Sequence, residues 1–586
     1  MTPASPAIDR LASPLWIAVG IGLLADAYLP LARAGFFVQS PAGLLWPAFA
    51  AVGLASITAT AVRALDHQDR VTRLLLAMAI LWSAALVVLG LTPPIARDEL
   101  THHLAMPLWY ARAGRVIEIP FADQAYYPML LEMLYTPLVA HGWVNAAKYL
   151  HGAFGVAACA LILLYLQPRN GTRAALLAAV LMLTTPTVTA LATSAYVDLG
   201  LLFFATTGLL GLLRWTETHR WTDLVVGALG AGCAASTKYN GLLVILLLGA
   251  AVPLLSPRRH LPAALGAALV FACVSTIALL PWLLKNLSET GNPFFPLFNG
   301  FFGGRPLPPS PAIDVFTKRH VLYGESWIEI LLTPIRVFVT GRDGDPTRFD
   351  GVFNPLYLLG AAAACWPAAA RRDRFLAGFA GALLLLVFFL ISFRSRYAVA
   401  VLAPLALLTV ETLSRWMAVH RVWRRALGVL IGAAFAFNAA HLGLLWAHVD
   451  PLAYLSGRQP PPDYIARFVP EYPVTAYANA NLAADATVYL AFLGSRGYYW
   501  ERPYTYDTYF SGTTLAAAIE SASDDDEVAT ALRRKGISHI ASADTLLARF
   551  LGDNLTPEQY ERWLRFVRHH LRPVYGHEGV SLYEIV

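Results

Sequence analysis

Thirteen stretches of mostly apolar residues, each close to the length of a bilayer span, fill much of the first 450 positions of this chain. A helix needs roughly 20 such residues to cross the hydrocarbon core of a membrane. Every backbone N–H and C=O inside that core must find a partner within the protein, so long apolar runs are read as helices. The spans are expected near 14–34, 42–63, 72–91, 147–166, 174–192, 197–213, 222–236, 240–256, 262–284, 352–369, 375–392, 397–413 and 426–446. The composition agrees. Of 586 residues, 57% are hydrophobic and 14% are charged, against roughly 25% charged in a soluble domain. The run from Leu15 is followed by further spans and reads as a retained first helix rather than a cleaved signal. Cys159, Cys233, Cys273 and Cys365 all lie in apolar runs, which points to packing and not to a disulfide framework.

The formal charge of +6 sits largely in Arg residues between the apolar runs. That is a signal of topology, and no nucleic-acid partner is expected. One set of alternate loops holds Arg63, Arg70 and Arg73, then Arg169 and Arg173, Arg214 and Arg220, Arg258 and Arg259. It continues with Arg371, Arg372 and Arg374, and ends with Arg415, Arg421, Arg424 and Arg425. This side is expected to be cytoplasmic. The N-terminus is then inside and the region after Pro451 outside. The outer face also owns two long loops, about 92–146 and 285–351, and the short connections at 194–198, 236–238 and 393–396. Loops as long as the first two are usually functional.

The densest polar cluster opens the first long loop: Arg97-Asp98-Glu99-Leu100-Thr101-His102-His103. On a helix, Asp98 with His102 and Glu99 with His103 are four apart, so each pair converges on one face. A carboxylate beside the membrane can act as general base on a hydroxyl or hold a divalent cation. The metal candidates are Asp98, Glu99, His102 and His103. The bland alternative is a solvated helix start with acids at its N-terminus. The following stretch, 104–114, has apolar residues at helical spacing and reads as an amphipathic helix on the membrane surface. Asp198, at the start of an apolar helix on the same face, is a functional candidate because a carboxylate at that depth is costly. Lys238, in Thr237-Lys238-Tyr239-Asn240-Gly241, and Arg394 and Arg396, in Ser392-Phe393-Arg394-Ser395-Arg396-Tyr397, stand at similar depth. Cations there suit a phosphate through charge-assisted hydrogen bonds, the alternative being snorkelling to lipid headgroups. The segment Gly291-Asn292-Pro293-Phe294-Phe295-Pro296 breaks any continuous helix in the second long loop, as a mobile cover or an ordinary structured loop.

After Pro451 charge rises and spans cease. Strands are expected at 486–492, 537–541 and 582–586 and helices at 513–522, 526–535 and 556–570, a small α/β domain. Tyr498, Tyr499, Trp500, Tyr504, Tyr506 and Tyr509 form an aromatic stretch that suits stacking on sugar rings or packing against the membrane region.

The Asp98-Glu99 pair opening the first large outer loop resembles the GT-C membrane glycosyltransferases, and within them the branch of the protein O-mannosyltransferases and the lipid A aminoarabinose transferases. Asp198 on the same face, Lys238 in its Ser-Thr-Lys-Tyr context, and Arg396-Tyr397 running into Leu402-Ala403-Pro404-Leu405 match as well. The resemblance covers roughly residues 70–415. It implies a polytopic α-helical membrane protein with a catalytic region over 1–450 and a soluble extracytoplasmic α/β domain over 451–586. It implies transfer of a sugar from a polyprenyl-phosphate-linked donor to a hydroxyl of a lipid, glycan or protein, at the outer face of a bacterial inner membrane. Asp98, Glu99 and Asp198 are the catalytic candidates. Lys238, Arg394, Arg396, His102, His103 and Tyr239 are the candidates for substrate and phosphate. No cofactor is obligatory for that chemistry, and a divalent cation is the alternative. Two competing classes are a transporter of a lipid-linked anion and a non-catalytic assembly subunit. A transporter is expected to show inverted symmetry and broken helices in both halves.

The sidedness is open to measurement. In intact cells, an impermeant thiol reagent should label Asp123→Cys and Asp525→Cys. Protection of both positions would reverse the assignment.

Overall fold

The computed structural model describes residues 10–66, 69–256, 261–305, 314–365, 369–419, 421–507 and 512–586. Arg258, Arg259 and Tyr509 lie outside the described residues. Twelve of the thirteen expected apolar stretches fall largely on helix; the other, 352–369, is helical over Pro355–Cys365, and its residues 366–368 lie outside the described residues. Among the described residues nine helices are long and apolar enough to cross a membrane, and three shorter apolar ones, Leu130–Ala140, Gly241–Leu255 and Pro355–Cys365, accompany them. Two expected spans, 147–166 and 174–192, fall largely within one element, Val144–Thr184, broken where Gly171 adopts φ 80°. Glycine takes that conformation at no steric cost. A short helix, Pro186–Leu191, restarts the chain towards the 194–198 connection.

The helices Asp198–Thr218 and Ser395–Ala418 run through the middle of the bundle, while Trp423–Val449 lies mostly exposed at its edge. Lipid tails are as apolar as leucine, so helices associate in a membrane by close packing, and small residues permit it. Asp198–Thr218 and Trp221–Thr237 show this at Gly208, Gly211, Gly227 and Gly230. A Cβ on Gly211 would stand 2.5 Å from the Gly227 backbone nitrogen, and one on Gly227 would stand 2.9 Å from the backbone nitrogen of Leu212. The connection between these helices turns on an ion pair of Arg214 with Asp223, Nε to Oδ1 3.0 Å, both side chains buried.

The stretch 104–114 does not lie on the membrane surface. Its helix, Ala105–Ala113, buries Ala105, Met106, Pro107, Tyr110 and Ala111, packs on Leu130–Ala140, and presents Trp109 to Tyr504. Its apolar residues serve protein on both sides, a tertiary demand that spacing alone does not distinguish from lipid contact. The segment 291–296 is a structured loop: Asn292 Nδ2 donates to Leu297 O at 2.8 Å and Tyr239 Oη to Phe295 O at 2.9 Å.

The C-terminal region forms a five-stranded mixed sheet in the order β2-β1-β3-β5-β4, from β1 (Val488–Ala491), β2 (Tyr504–Tyr506), β3 (His539–Ala543), β4 (Leu571–His577) and β5 (Val580–Ile585). β1 pairs parallel with β2 and β3, while β5 runs antiparallel to β3 and β4. The sequence-predicted strands are β1, β3 and β5. β2 lies inside the aromatic stretch. β4 carries Pro573, which an edge strand tolerates because no neighbour needs its N–H. Helices Thr513–Ser521, Asp525–Arg534 and Pro557–His570 match expectation. One buried apolar cluster runs from Tyr28, Ala105 and Met129 to Val488, Trp500 and Leu582, so the sheet and the helical region share a core.

Gly227→Val should lower thermal stability by about 1–3 kcal/mol or more, the usual range for overpacking. Gly266, where a Cβ meets nothing within 4 Å, is the control, and Gly266→Ala should leave the unfolding temperature almost unchanged.

Candidate active site

Four connections converge on one face of the helical bundle, and each brings a charged side chain. Arg396, at the start of the 395–418 span, places Nη2 2.5 Å from Asp98 Oδ2 and Nη1 3.8 Å from Asp198 Oδ2. Lys238, which follows the helix Trp221–Thr237, donates through Nζ to Asp198 Oδ1 at 2.7 Å. Its ammonium also lies 4.0 Å from the centre of the Tyr397 ring, and the Arg396 guanidinium lies 4.9 Å from the Tyr196 ring. Asp198 is fully buried and Arg396 nearly so. The two carboxylates and two cations thus alternate in the order Asp98, Arg396, Asp198, Lys238. Nε and Nη1 of Arg396 and Oδ2 of Asp198 are buried without a hydrogen-bond partner.

The Asp98 loop is held by residues around it. Residues 99–103 form one π-helical turn, closed by Leu104 N donating to Glu99 O at 2.9 Å. The extra residue in that turn separates Glu99 from His103 but leaves Asp98 beside His102. Asp98, His102 and His103 stay together, with one ligand atom each within 4.8 Å of the others, the only such trio among the described residues. Glu99 turns away and accepts from two backbone N–H groups, Ala96 at 3.0 Å and Ala195 at 2.5 Å. It therefore ties the Asp98 loop to the connection that carries Asp198. His103 meets Glu132 instead of Glu99, Nδ1 to Oε1 2.6 Å. His102 Nδ1 lies 2.8 Å from Thr101 Oγ1. Burial pushes the His102 imidazole down to about 4 and holds His103 well below its ordinary value, so both rings are neutral at pH 7.

Burial is the largest single influence on the Asp98 carboxyl and works to raise it, but the Arg396 guanidinium and the His102 and His103 imidazoles together hold Asp98 well below the ordinary carboxylate range. Arg394 stands two residues from Arg396 and faces Asp350 at 3.7 Å. Tyr239 is engaged with Phe295 and with Asn286, whose Nδ2 donates to it at 3.0 Å. Neither touches the four-charge cluster through a hydrogen bond in this structure.

Several supporting residues escaped the sequence reading. Buried Lys148 donates to the carbonyls of Thr92 at 2.8 Å and Pro93 at 3.2 Å, at the approach to Asp98. Buried His151 places Nδ1 2.8 Å from Ser194 O, while its Nε2 accepts from Leu199 N at 2.9 Å, so one ring fixes both sides of Asp198. Tyr135 Oη donates to Tyr196 O at 2.6 Å. From the C-terminal region, Tyr498 N donates to Leu100 O at 3.1 Å and Tyr499 Oη to Pro94 O at 2.8 Å. The aromatic stretch is thus packed on the Asp98 loop.

Residues 136–287 match the family described as dolichyl-phosphate-mannose-protein mannosyltransferase. Among solved structures the chain is similar to ArnT from Cupriavidus metallidurans in the apo state, with TM-score 0.53 and 16% identity over 87% of this chain and 97% of that one. The chain has the fold of a GT-C membrane glycosyltransferase. The same ArnT bound to undecaprenyl phosphate gives 0.49 at 16% identity, covering 87% of this chain and 97% of that one. The archaeal oligosaccharyltransferase AglB from Archaeoglobus fulgidus, in complex with an inhibitory peptide and a dolichol-phosphate, gives 0.46 at 13% identity, covering 87% and 74%. No curated protein matches the sequence. Of the four charges, Asp198 and Lys238 lie within the matched segment, Asp98 before it and Arg396 after it.

Because the folded-state Asp98 pKa is depressed, the ion pair contributes stability that is fully present above the unfolded value, about 3.9. That contribution is lost as pH falls through the folded value. Asp98→Asn should therefore lower the unfolding temperature at pH 7, and the gap to wild type should narrow as pH drops below about 4. A gap that stays constant from neutral to acid pH would mean that another group sets the difference.

Proposed function

We propose that the chain transfers a sugar from a polyprenyl-phosphate-linked donor to a hydroxyl group of a lipid, glycan or protein. The observation that carries this reading is the buried guanidinium of Arg396, with two nitrogens unused by any hydrogen bond, beside Lys238 and between two carboxylates. A cation of that kind suits a phosphate oxygen, which accepts several charge-assisted hydrogen bonds at once. The family matched over 136–287 is named for a dolichyl-phosphate-linked mannose donor, which supports the same donor class here.

In the reaction, the acceptor oxygen forms a bond to the anomeric carbon of the sugar while the bond from that carbon to the phosphate oxygen breaks. Asp98 takes the hydroxyl proton. Arg396 and Lys238 receive the negative charge left on the polyprenyl phosphate, which is stabilisation where charge develops. Asp198 holds both cations in place from its buried position. Glu99 acts at one remove, by fixing the loops that carry Asp98 and Asp198. His102 and His103 line the Asp98 side.

A metal ion is not required on this reading. Asp98, His102 and His103 offer one oxygen and two nitrogens, a donor set that suits zinc, but Asp98 already shares its charge with Arg396. The cationic side chains supply the charge a metal would bring. The reaction is assigned to the outer face of a bacterial inner membrane, with the N-terminus cytoplasmic, because the Arg-rich loops lie on the opposite side.

Asp98→Asn should reduce turnover by about 100- to 10,000-fold, the usual span for general-base assistance, with donor binding retained. Near-normal transfer by the purified variant would refute the assignment. Lys238→Ala and Arg396→Ala should each weaken donor binding by about 1.5–3 kcal/mol, and unchanged affinity in both would move the phosphate elsewhere. Chelation followed by readdition of divalent cations should leave the wild-type rate unchanged. A rate that falls and recovers would place an essential ion at Asp98, His102 and His103.

A further inference from the structure

The second long loop carries a run of exposed large apolar residues that neither the bundle nor the sheet covers. Two short helices, Trp327–Leu331 and Thr333–Arg336, follow one another there. Ile330, Thr333, Val337 and Phe338 point into the protein. Trp327, Ile328, Leu331, Leu332, Ile335 and Val339 point out, at the spacing of one helical face. Ile328 is 70% exposed and Leu331 65%. Glu329 and Arg336 lie on the flank of that face, with Arg336 Nη1 donating to Glu329 O at 2.8 Å. A contiguous apolar face rimmed by polar groups marks an interaction surface.

Its surroundings decide what covers it. The neighbouring turn, Lys318–Leu322, exposes Val321 and Leu322. Just before it, Phe316 stacks on Phe389, with ring centres 5.8 Å apart. Phe389 belongs to the end of the Arg371–Ile391 span, whose outward side exposes Leu385 and Leu390, the latter 70% exposed like Ile328. The segment that leads into the loop thus packs on the end of a membrane helix, and the turn Lys318–Leu322 in turn packs on Trp327–Leu331, which brings the apolar face of the loop next to that helix's lipid-facing side.

We propose that residues 327–339 form an amphipathic strap laid in the lipid leaflet on the Asp98 side of the membrane. The occupant of the face is the acyl region of that leaflet, with Glu329 and Arg336 at headgroup level. The strap is also tied to the cluster. Arg319 pairs with Glu325, which accepts from Arg336 Nη2 at 3.1 Å. The Arg319 guanidinium lies 4.8 Å from the Phe349 ring and 4.5 Å from Phe393. Ser395 N donates to Phe349 O at 2.7 Å. The depth at which the strap rests in lipid thereby fixes the depth of the turn that carries Arg394 and Arg396.

Site-directed spin labelling tests this without any measure of activity, so its outcome is independent of the proposed transfer reaction. The full chain, with exposed Cys273 and Cys365 replaced by serine, is labelled at Ile328→Cys, Leu331→Cys or Ile335→Cys and reconstituted in phosphatidylglycerol–phosphatidylethanolamine vesicles. Glu329→Cys is the control on the polar flank. The three stripe positions should be relaxed several-fold more by oxygen than by an aqueous nickel chelate, and position 329 the reverse. If the stripe labels meet the nickel chelate as freely as position 329, the strap lies in water and the proposal fails. If they are shielded from both reagents, a protein surface such as a second copy covers the face, and the proposal fails equally. Val339→Cys, on the same face, replaces any variant that does not fold.

Discussion

A charge taken out of water has to be compensated nearby, and around Arg396 four such charges compensate one another. Removing one partner of a buried pair typically costs about 3–5 kcal/mol, because the remaining charge is left without a counter-ion. Asp98, Asp198, Lys238 and Arg396 arrive on four separate connections. Each connection is therefore held in register by at least one of the others, and the bundle beneath them is arranged to let them meet. The near-contact of Gly211 with Gly227 brings together the helices that begin at Asp198 and end just before Lys238. The kinked Val144–Thr184 element supplies His151 to the Asp198 connection.

The same pairing sets a chemical tension. A general base works best with a pKa near the operating pH, yet Arg396 holds Asp98 well below its ordinary range. On the proposed reading the donor phosphate relieves this. An anion bound to the free nitrogens of Arg396 competes with Asp98 for the same guanidinium. The carboxylate then becomes more basic once the donor is in place, and stays quiet when it is not. The two functions assigned to the cluster, anion binding and proton removal, are linked through one side chain.

The sequence reading located the four charges because each is anomalous where it stands: acids and cations at the ends of apolar helices. It located the spans because hydropathy alone determines them. It did not place Glu99, since a five-residue π-turn and a four-residue α-turn share the same letters, and only the fold chooses between them. The surface helix expected over 104–114 went astray for a related reason, because an apolar face shows that something apolar covers it but not what. The strand Tyr504–Tyr506 was legible as aromatic and illegible as a strand, for it has three residues and gains its place by pairing with Val488–Leu490. His151 and Lys148 were silent, each a lone polar residue in an apolar run, whose partners come from 40 residues or more away along the chain.

After Pro451 the composition changes and long apolar helices cease among the described residues, but the C-terminal region takes part in building the cluster. Tyr498 and Tyr499 bond to backbone on either side of Asp98, at Leu100 and Pro94. Arg112, from the helix that follows the π-turn, donates to Trp500 O at 2.9 Å, and Trp109 donates to Tyr504 Oη at 2.7 Å. The loop that carries Asp98 is thus gripped from above by the sheet region and from below by Glu99 and Lys148. A π-turn is an uncommon and poorly self-supporting conformation, and contacts from both sides over-determine it. The aromatic stretch is rich in Tyr because this task needs residues that fill apolar space with one end and hydrogen-bond with the other. Sugar stacking would require the faces of those rings to be exposed. Tyr504 and Tyr506 are instead buried in the shared core, and Tyr499 spends its hydroxyl on Pro94, so their part in the site is to hold the Asp98 loop still.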